Sequence, residues 1–296
     1  MRIFVTGATG FIGSAVVHQL IEAGHDVLGL ARSEESAKAL SLAGATAHRG
    51  SLEDIVSLRR GAAMCDGVIH TAFMPIAAVS SNPAIACETD LRVIEALGEE
   101  LENSGRPLVI TSAIAVLKQG IIGTEKDMGD STALGALRIP SEKIALSLAS
   151  KGVRTSIVRL PPSVHGDDKH GFIPTLINIA STKGISAYIN DGTNCYSAVH
   201  REDAAKLFRL AVEKAPAGSI LHGVAEEGVL FKDIAAAIGH RLNLPVTSLS
   251  REAAEKHFSW FAPFAAIDSP ASSDLTRKLL GWEPIKTGLV SSINIK

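Results

Sequence analysis

Eight residues near the start, Thr6-Gly7-Ala8-Thr9-Gly10-Phe11-Ile12-Gly13, have the types and spacing to hold a pyrophosphate. An apolar run precedes them and an amphipathic stretch follows, which is the strand, turn and helix setting such a loop requires. Gly7 permits the tight turn, Gly10 lets the backbone approach the anion, and Gly13 lets the helix pack closely on the strand. The backbone from Thr9 through Phe11 and Ile12 opens the helix, where unpaired N–H donors and the helix dipole favour negative charge. A dinucleotide is the expected ligand.

The second apolar run ends at Leu30-Ala31-Arg32-Ser33, where a site selective for NAD would carry Asp or Glu to bind the adenosine ribose hydroxyls. Ala31 cannot do that. Arg32 offers a charge-assisted fork to a 2′-phosphate, so the expected cofactor is NADP, with NAD still compatible. Glu34 and Glu35 stand close enough to oppose a phosphate.

These residues need elements to position them. Residues 3–5, 27–30, 68–70 and 108–111 read as buried strands and 155–160 as a further one, with helices over 11–23, 33–43, 84–102 and 132–149. Strands alternating with helices imply a parallel sheet covered on both faces. After Pro161-Pro162 the pattern shortens, with Asp167-Asp168-Lys169-His170-Gly171 at the transition and further helices over 172–182, 201–213, 231–242 and 272–279. The expected fold class is α/β: a Rossmann doubly wound parallel sheet over residues 1–166, then a small α+β substrate-binding part over 167–296. Segments at about 197–222 are expected to return to the first domain, the strand near Ile220 rejoining the main sheet.

A formal net charge of −2 without runs of like charge gives no reason to expect nucleic acid or an anionic membrane as partner, and points to a small-molecule substrate. Cys65, Cys87 and Cys195 have no metal or redox spacing and read as reduced thiols, which favours a cytoplasmic home. No secretory leader and no membrane-spanning run is expected. His165, Asp167, Asp168 and His170 look superficially like metal ligands, but a polar connecting loop accounts for them, so no metal is expected.

With the glycine turn, further segments resemble the extended short-chain dehydrogenase/reductases, the group of nucleotide-sugar epimerases and dehydratases, dihydroflavonol reductases and 3β-hydroxysteroid dehydrogenases. Gly50-Ser51-Leu52-Glu53-Asp54 resembles the family's adenine-side loop, and Val68-Ile69-His70-Thr71-Ala72 the stretch lining the cofactor cleft. Ile110-Thr111-Ser112 is similar to the strand carrying the catalytic serine, and Arg159-Leu160-Pro161-Pro162-Ser163-Val164-His165-Gly166 to the loop near the nicotinamide. Ala198-Val199-His200-Arg201-Glu202-Asp203-Ala204-Ala205 and Leu280-Gly281-Trp282-Glu283-Pro284 resemble two later family segments. The resemblance implies cofactor contacts from Ser51, Leu52, Thr71, Ala72, Pro161 and Val164. It also implies a homodimer formed through helices 84–102 and 132–149.

Members pair the serine with Tyr-x-x-x-Lys on the following helix. The serine hydrogen-bonds the substrate oxygen, the tyrosine exchanges its proton, and the lysine lowers the phenol pKa and holds the nicotinamide ribose. Spacing by four puts Tyr and Lys on one helix face. Here the stretch is Arg138-Ile139-Pro140-Ser141-Glu142-Lys143, with Lys143 in place and Ile139 where tyrosine belongs. Tyr188 and Tyr196 are the only tyrosines, both far along the chain, and a shifted alignment does not restore the motif.

Ser112, Lys143 and Arg138 are therefore the expected catalytic residues, with Arg138 stabilising a developing alkoxide while water or Ser112 relays the proton. His70 and His165 are further acids by pKa. The group Phe258, Trp260, Phe261, Pro263 and Phe264 could cover the site of a partly apolar substrate. The expected function is an NAD(P)-dependent oxidoreductase acting on a CH–OH or C=O carbon of a small substrate. The alternatives are an NADP(H)-binding sensor or scaffold, and a sugar-nucleotide epimerase or dehydratase.

Overall fold

The computed structural model describes residues 1–74, 82–166 and 171–294. Seven parallel strands form the main sheet: β1 (Arg2–Thr6), β2 (Asp26–Ala31), β3 (Thr46–Arg49), β4 (Gly67–His70), β5 (Pro107–Ala113), β6 (Arg154–Leu160) and β10 (Ser219–His222). Their spatial order is β3-β2-β1-β4-β5-β6-β10. The chain leaves β1 toward β2 on one side and later reaches β4 on the other, which opens a crevice at the carboxyl ends of β1 and β4.

Alternation along each strand divides the core in two. Ile3, Val5, Ile69, Val109 and Val158 face α1 (Phe11–Glu22), α2 (Glu34–Leu42) and the later α7 (Arg201–Lys214). Phe4, Leu28, Val68, Leu108, Ile110 and Ile157 face α3 (Ile55–Ala63), α4 (Pro83–Leu101) and α5 (Ile139–Ser147). Burial on both faces explains why these strands read as continuous apolar runs.

The helix expected over 132–149 is shorter. It starts at Ile139, with Pro140 in its first turn, and is preceded by a 3-10 turn over Ala136–Arg138. The reason lies at Gly135, whose N–H donates to the Ala115 carbonyl at 2.9 Å and whose added Cβ would sit 2.8 Å from that oxygen. This contact holds the chain in a turn until residue 138.

The helix over Asp274–Leu280 packs with the first core through Leu280, and most of the other remaining described elements form a second core. Helix α6 (Phe172–Lys183), α8 (Phe231–Leu242) and α9 (Arg251–Phe258) pack on β8 (Ser186–Ile189) paired with β12 (Val246–Leu249), and on a sheet of β7 (Ser163–His165), β9 (Cys195–His200) and β11 (Glu226–Leu230). Within 197–222, β9 belongs to this small sheet, while α7 packs on α1 and β10 extends the main sheet beside β6. Most of the aromatic group joins this core: Phe258 and Phe261 are buried, Phe264 packs against them and Phe172 lies edge-on to Phe261, while Trp260 is half exposed. Among the described residues no helix is long and apolar enough to cross a membrane.

Candidate active site

The glycine turn is fixed by contacts only glycine allows. Gly7 has φ +67°, and a Cβ there would lie 2.7 Å from the Ala72 nitrogen; at Gly13 it would lie 2.0 Å from the Gly7 carbonyl and 2.9 Å from Thr71 Oγ1. The turns after β1 and β4 therefore interlock. Gly10 N-caps α1 without any side-chain cap, leaving the helix start to whatever occupies the space before it. That space is a cleft of about 540 Å³ lined by Gly7, Thr9, Gly10, Phe11, Ile12, Gly13, Arg32, Ser51, Leu52, Thr71 and Ala72, together with Ser36, Glu53 and Phe73. Pro161, Val164, Lys143, Ser112 and Arg138 are not part of its lining: Pro161 is buried and Val164 lies on β7, paired with Val199.

At the adenine end, Arg32 is exposed, with no ion pair among the described residues. Glu34 turns away to pair with Arg49, so it does not face the cleft. Glu53 does line it, its carboxyl held below the usual range by the Ser51 hydroxyl and its own backbone, with a smaller contribution from Arg32.

At the opposite end Ser112 lies one residue before the end of β5, nearly fully buried, and its hydroxyl has no hydrogen-bond partner among the described residues. Beside it runs a buried chain. Asp90 on α4 accepts from Ser141 Oγ at 2.7 Å, from His70 Nε2 at 3.2 Å and from Arg138 Nη2 at 3.2 Å. The other ring nitrogen, Nδ1, shares a hydrogen bond with Thr6 Oγ1, 2.6 Å away. Burial pushes the Asp90 carboxyl up, but Arg138 and His70 outweigh it and hold the group below its usual range.

Arg138 also donates from Nη2 to the Thr111 carbonyl at 2.6 Å, and its guanidinium lies 4.2 Å from the centre of the Phe73 ring. Its Nε is buried without a hydrogen-bond partner among the described residues. Lys143, by contrast, is exposed and has no hydrogen bond or ion pair among the described residues. Its neighbours point inward instead: Ser141 to Asp90, and Glu142 to Arg159 in a buried bidentate pair at 2.7 and 2.9 Å. Ile139 packs with Ile114, Val116 and Leu117 in a small apolar cluster.

Neither expected histidine presents a proton to the cleft. His70 is bonded on both ring nitrogens. His165 is buried, its pKa pushed down to about 4 by burial and then by His200, so it is neutral near pH 7. Asp167, Asp168 and His170 lie outside the described residues. Among the described residues no three His, Cys, Asp or Glu side chains cluster as metal ligands.

A larger cleft of about 680 Å³ opens on the C-terminal part between Asn190, Asp191, Arg251, Glu255 and Asp268. Pro263 lines it, but none of the expected catalytic or cofactor-binding residues does, so size alone does not locate the chemistry. Asp90 and Thr6 escaped sequence reasoning, although Asp90 carries a signal: it falls on the buried helix stripe of Ala86, Val93, Ile94, Leu97 and Leu101. A carboxylate on such a stripe requires a buried partner.

Residues 3–222 match the NAD dependent epimerase/dehydratase family. An uncharacterized protein of Schizosaccharomyces pombe is 52% identical over 99% of this chain and 98% of its own length. A 4-hydroxy-2-methyl-3-oxo-4-farnesyl-3,4-dihydroquinoline-1-oxide ketoreductase of Stigmatella aurantiaca is 27% identical over 74% of this chain and 67% of its own. Among solved structures, the NAD-bound dTDP-glucose 4,6-dehydratase of Streptomyces venezuelae superposes with a TM-score of 0.80 over 99% of this chain and 95% of that one, at 19% identity, a likeness of fold.

Proposed function

The chain belongs to the NAD dependent epimerase/dehydratase family, and on that premise we propose that it is an oxidoreductase preferring NADP, acting on a CH–OH or C=O carbon of a small substrate without a catalytic tyrosine. The observation carrying this reading is the alignment of three features along the carboxyl edge of one parallel sheet. They are the uncapped helix start at Gly10, the exposed Arg32 beside the cleft, and the unpartnered Ser112 hydroxyl. A relative named as a ketoreductase supports the same chemistry.

The nicotinamide, when bound, supplies the hydride donor or acceptor. The chain's own part begins with the pyrophosphate, which the N–H groups at the start of α1 would receive. Arg32 would take the 2′-phosphate, with Glu34 neutralised by Arg49 rather than opposing it. Ser112 Oγ, lacking any protein partner, is available to donate to a substrate oxygen. No phenol stands beside it, so the proton reaches that oxygen from water or through the serine hydroxyl.

Calorimetric titration with NADPH and NADH, followed by a screen of aldehydes and ketones for loss of nicotinamide absorbance, tests this. NADPH binding with turnover of a carbonyl is the expected result. Binding without turnover on any carbonyl removes the enzymatic reading in favour of a sensor.

A further inference from the structure

We propose that Arg138, not Lys143, is the cation serving the nicotinamide end of the site, and that Asp90 is its positioning residue. The Tyr-x-x-x-Lys pattern then runs here as Leu134-Gly135-Ala136-Leu137-Arg138. The inference rests on the dinucleotide reading above.

Two ties bracket Ser112 and set this register. Gly135 donates to the carbonyl of Ala115, three residues after the serine, and its lack of a Cβ permits the contact. Arg138 donates to the carbonyl of Thr111, the residue before the serine. The segment 134–138 is thus held against both sides of Ser112, and Leu134, 43% exposed, stands at the position four before the cation. Ile139 instead fills an apolar cluster.

Lys143 cannot be brought inward without cost elsewhere. It follows Ser141 and Glu142 on α5, and turning the helix to bury Lys143 would withdraw Ser141 from Asp90 and Glu142 from Arg159. Removing one partner from a buried charge pair costs about 3–5 kcal/mol. Arg138 is already held at this end of the site: Nη2 anchors it, its buried Nε has no hydrogen-bond partner among the described residues, and its flat face stacks on Phe73, through which it borders the cleft.

Asp90 holds the guanidinium from below. Its other ligands, Ser141 and His70, leave it little freedom, and His70 passes the constraint to Thr6 at the end of β1, directly before Gly7. One buried chain therefore links the start of the pyrophosphate turn to the cation. Lysine would place its charge differently, because an ammonium lacks the planar fork.

The test is NADPH titration by calorimetry of the wild type and of Arg138→Met, Lys143→Met, Arg138→Lys and Asp90→Asn, with a melting curve for each. Arg138→Met is expected to raise Kd at least about tenfold and Lys143→Met less than about twofold, with Arg138→Lys recovering part of the loss. Asp90→Asn should weaken binding in the wild type but add nothing to Arg138→Met, because it acts through that side chain. If Asp90→Asn does not fold, Ser141→Ala removes one hydrogen bond to the same carboxylate and should show the same non-additivity. Lys143→Met matching or exceeding Arg138→Met, an unchanged Kd in folded Arg138→Met, or additive losses at Asp90 would overturn the proposal. Absence of NADPH binding by the wild type would instead remove the cofactor reading beneath it.

Discussion

The indole Nε1 of Trp282 donates to the backbone carbonyl of Asp203 at 2.9 Å, joining the two late segments that resemble family signatures. Trp282 is fully buried, and the Asp203 carboxylate accepts from the backbone N–H groups of Ile285 at 3.1 Å and Lys286 at 2.9 Å. Asp203 also lies in the first turn of α7, where the helix dipole favours its charge. The pairing docks the C-terminal residues on the helix that covers the main sheet. Asp203→Ala should lower unfolding free energy by about 2–3 kcal/mol in urea while leaving NADPH affinity unchanged in the folded protein. A loss below about 0.5 kcal/mol would mean that the C-terminal stretch is held by packing alone.

The glycine turn separates two kinds of damage. At Gly13 an added Cβ would lie 2.0 Å from the Gly7 carbonyl, so Gly13→Ala should destabilise the fold by several kcal/mol. At Gly10 the nearest atom would be 3.1 Å away, and φ is −76°. Gly10→Ala should therefore fold with nearly the wild-type melting temperature yet bind NADPH about tenfold or more weakly, because the methyl group enters the approach to the helix start. Normal binding by Gly10→Ala would place the pyrophosphate elsewhere.

Arg32→Ala is expected to weaken NADPH binding by about tenfold or more and NADH binding by less than about twofold. Arg49→Ala should have a smaller effect of the same sign, because it releases Glu34 from its ion pair. Equal losses for the two cofactors in Arg32→Ala would remove the 2′-phosphate role.

Acid should destabilise the fold through two buried histidines. Burial pushes His165 and His222 down from an ordinary value of 6.5 to about 4. Below pH 6.5 the unfolded chain binds protons that the folded chain refuses. Their contribution is thus complete above pH 6.5 and is lost as the pH falls through about 4, on the order of 3 kcal/mol for each. Urea unfolding between pH 7.5 and 4.5 should show this fall, and His165→Phe should flatten it, since neither His165 nitrogen has a partner to lose. An unchanged slope in that variant would mean His165 is already protonated in the folded state.

The main sheet was legible because strands buried on both faces read as plain apolar runs, and the glycine turn because its steric demands leave a spaced signature. Strand β3 (Thr46–Arg49) was not legible: at the sheet edge only His48 of its four residues is buried, so neither an apolar run nor a full alternation marks it. Helix α3 was missed for a related reason, its nine residues including two arginines and a glycine. At the site, sequence spacing puts Lys143 in the lysine's place and offers Arg138 only as a stabiliser of a developing alkoxide. Spacing alone cannot say which turn of chain is fastened to Ser112; that depends on the backbone contact of Gly135 with Ala115, which no side-chain pattern encodes.

The pairing of β10 with β6 also has a consequence for synthesis. Ser219 aligns with Ser156, so the strand that covers this side of the sheet is translated more than sixty residues after the one it covers. Until then β6 presents unpaired backbone groups and an apolar flank to solvent or to a chaperone, the condition under which nascent chains associate wrongly. Ribosomes stalled within residues 161–218 should therefore carry an aggregation-prone chain, and release past residue 222 should bring protease resistance to residues 1–160 in one step.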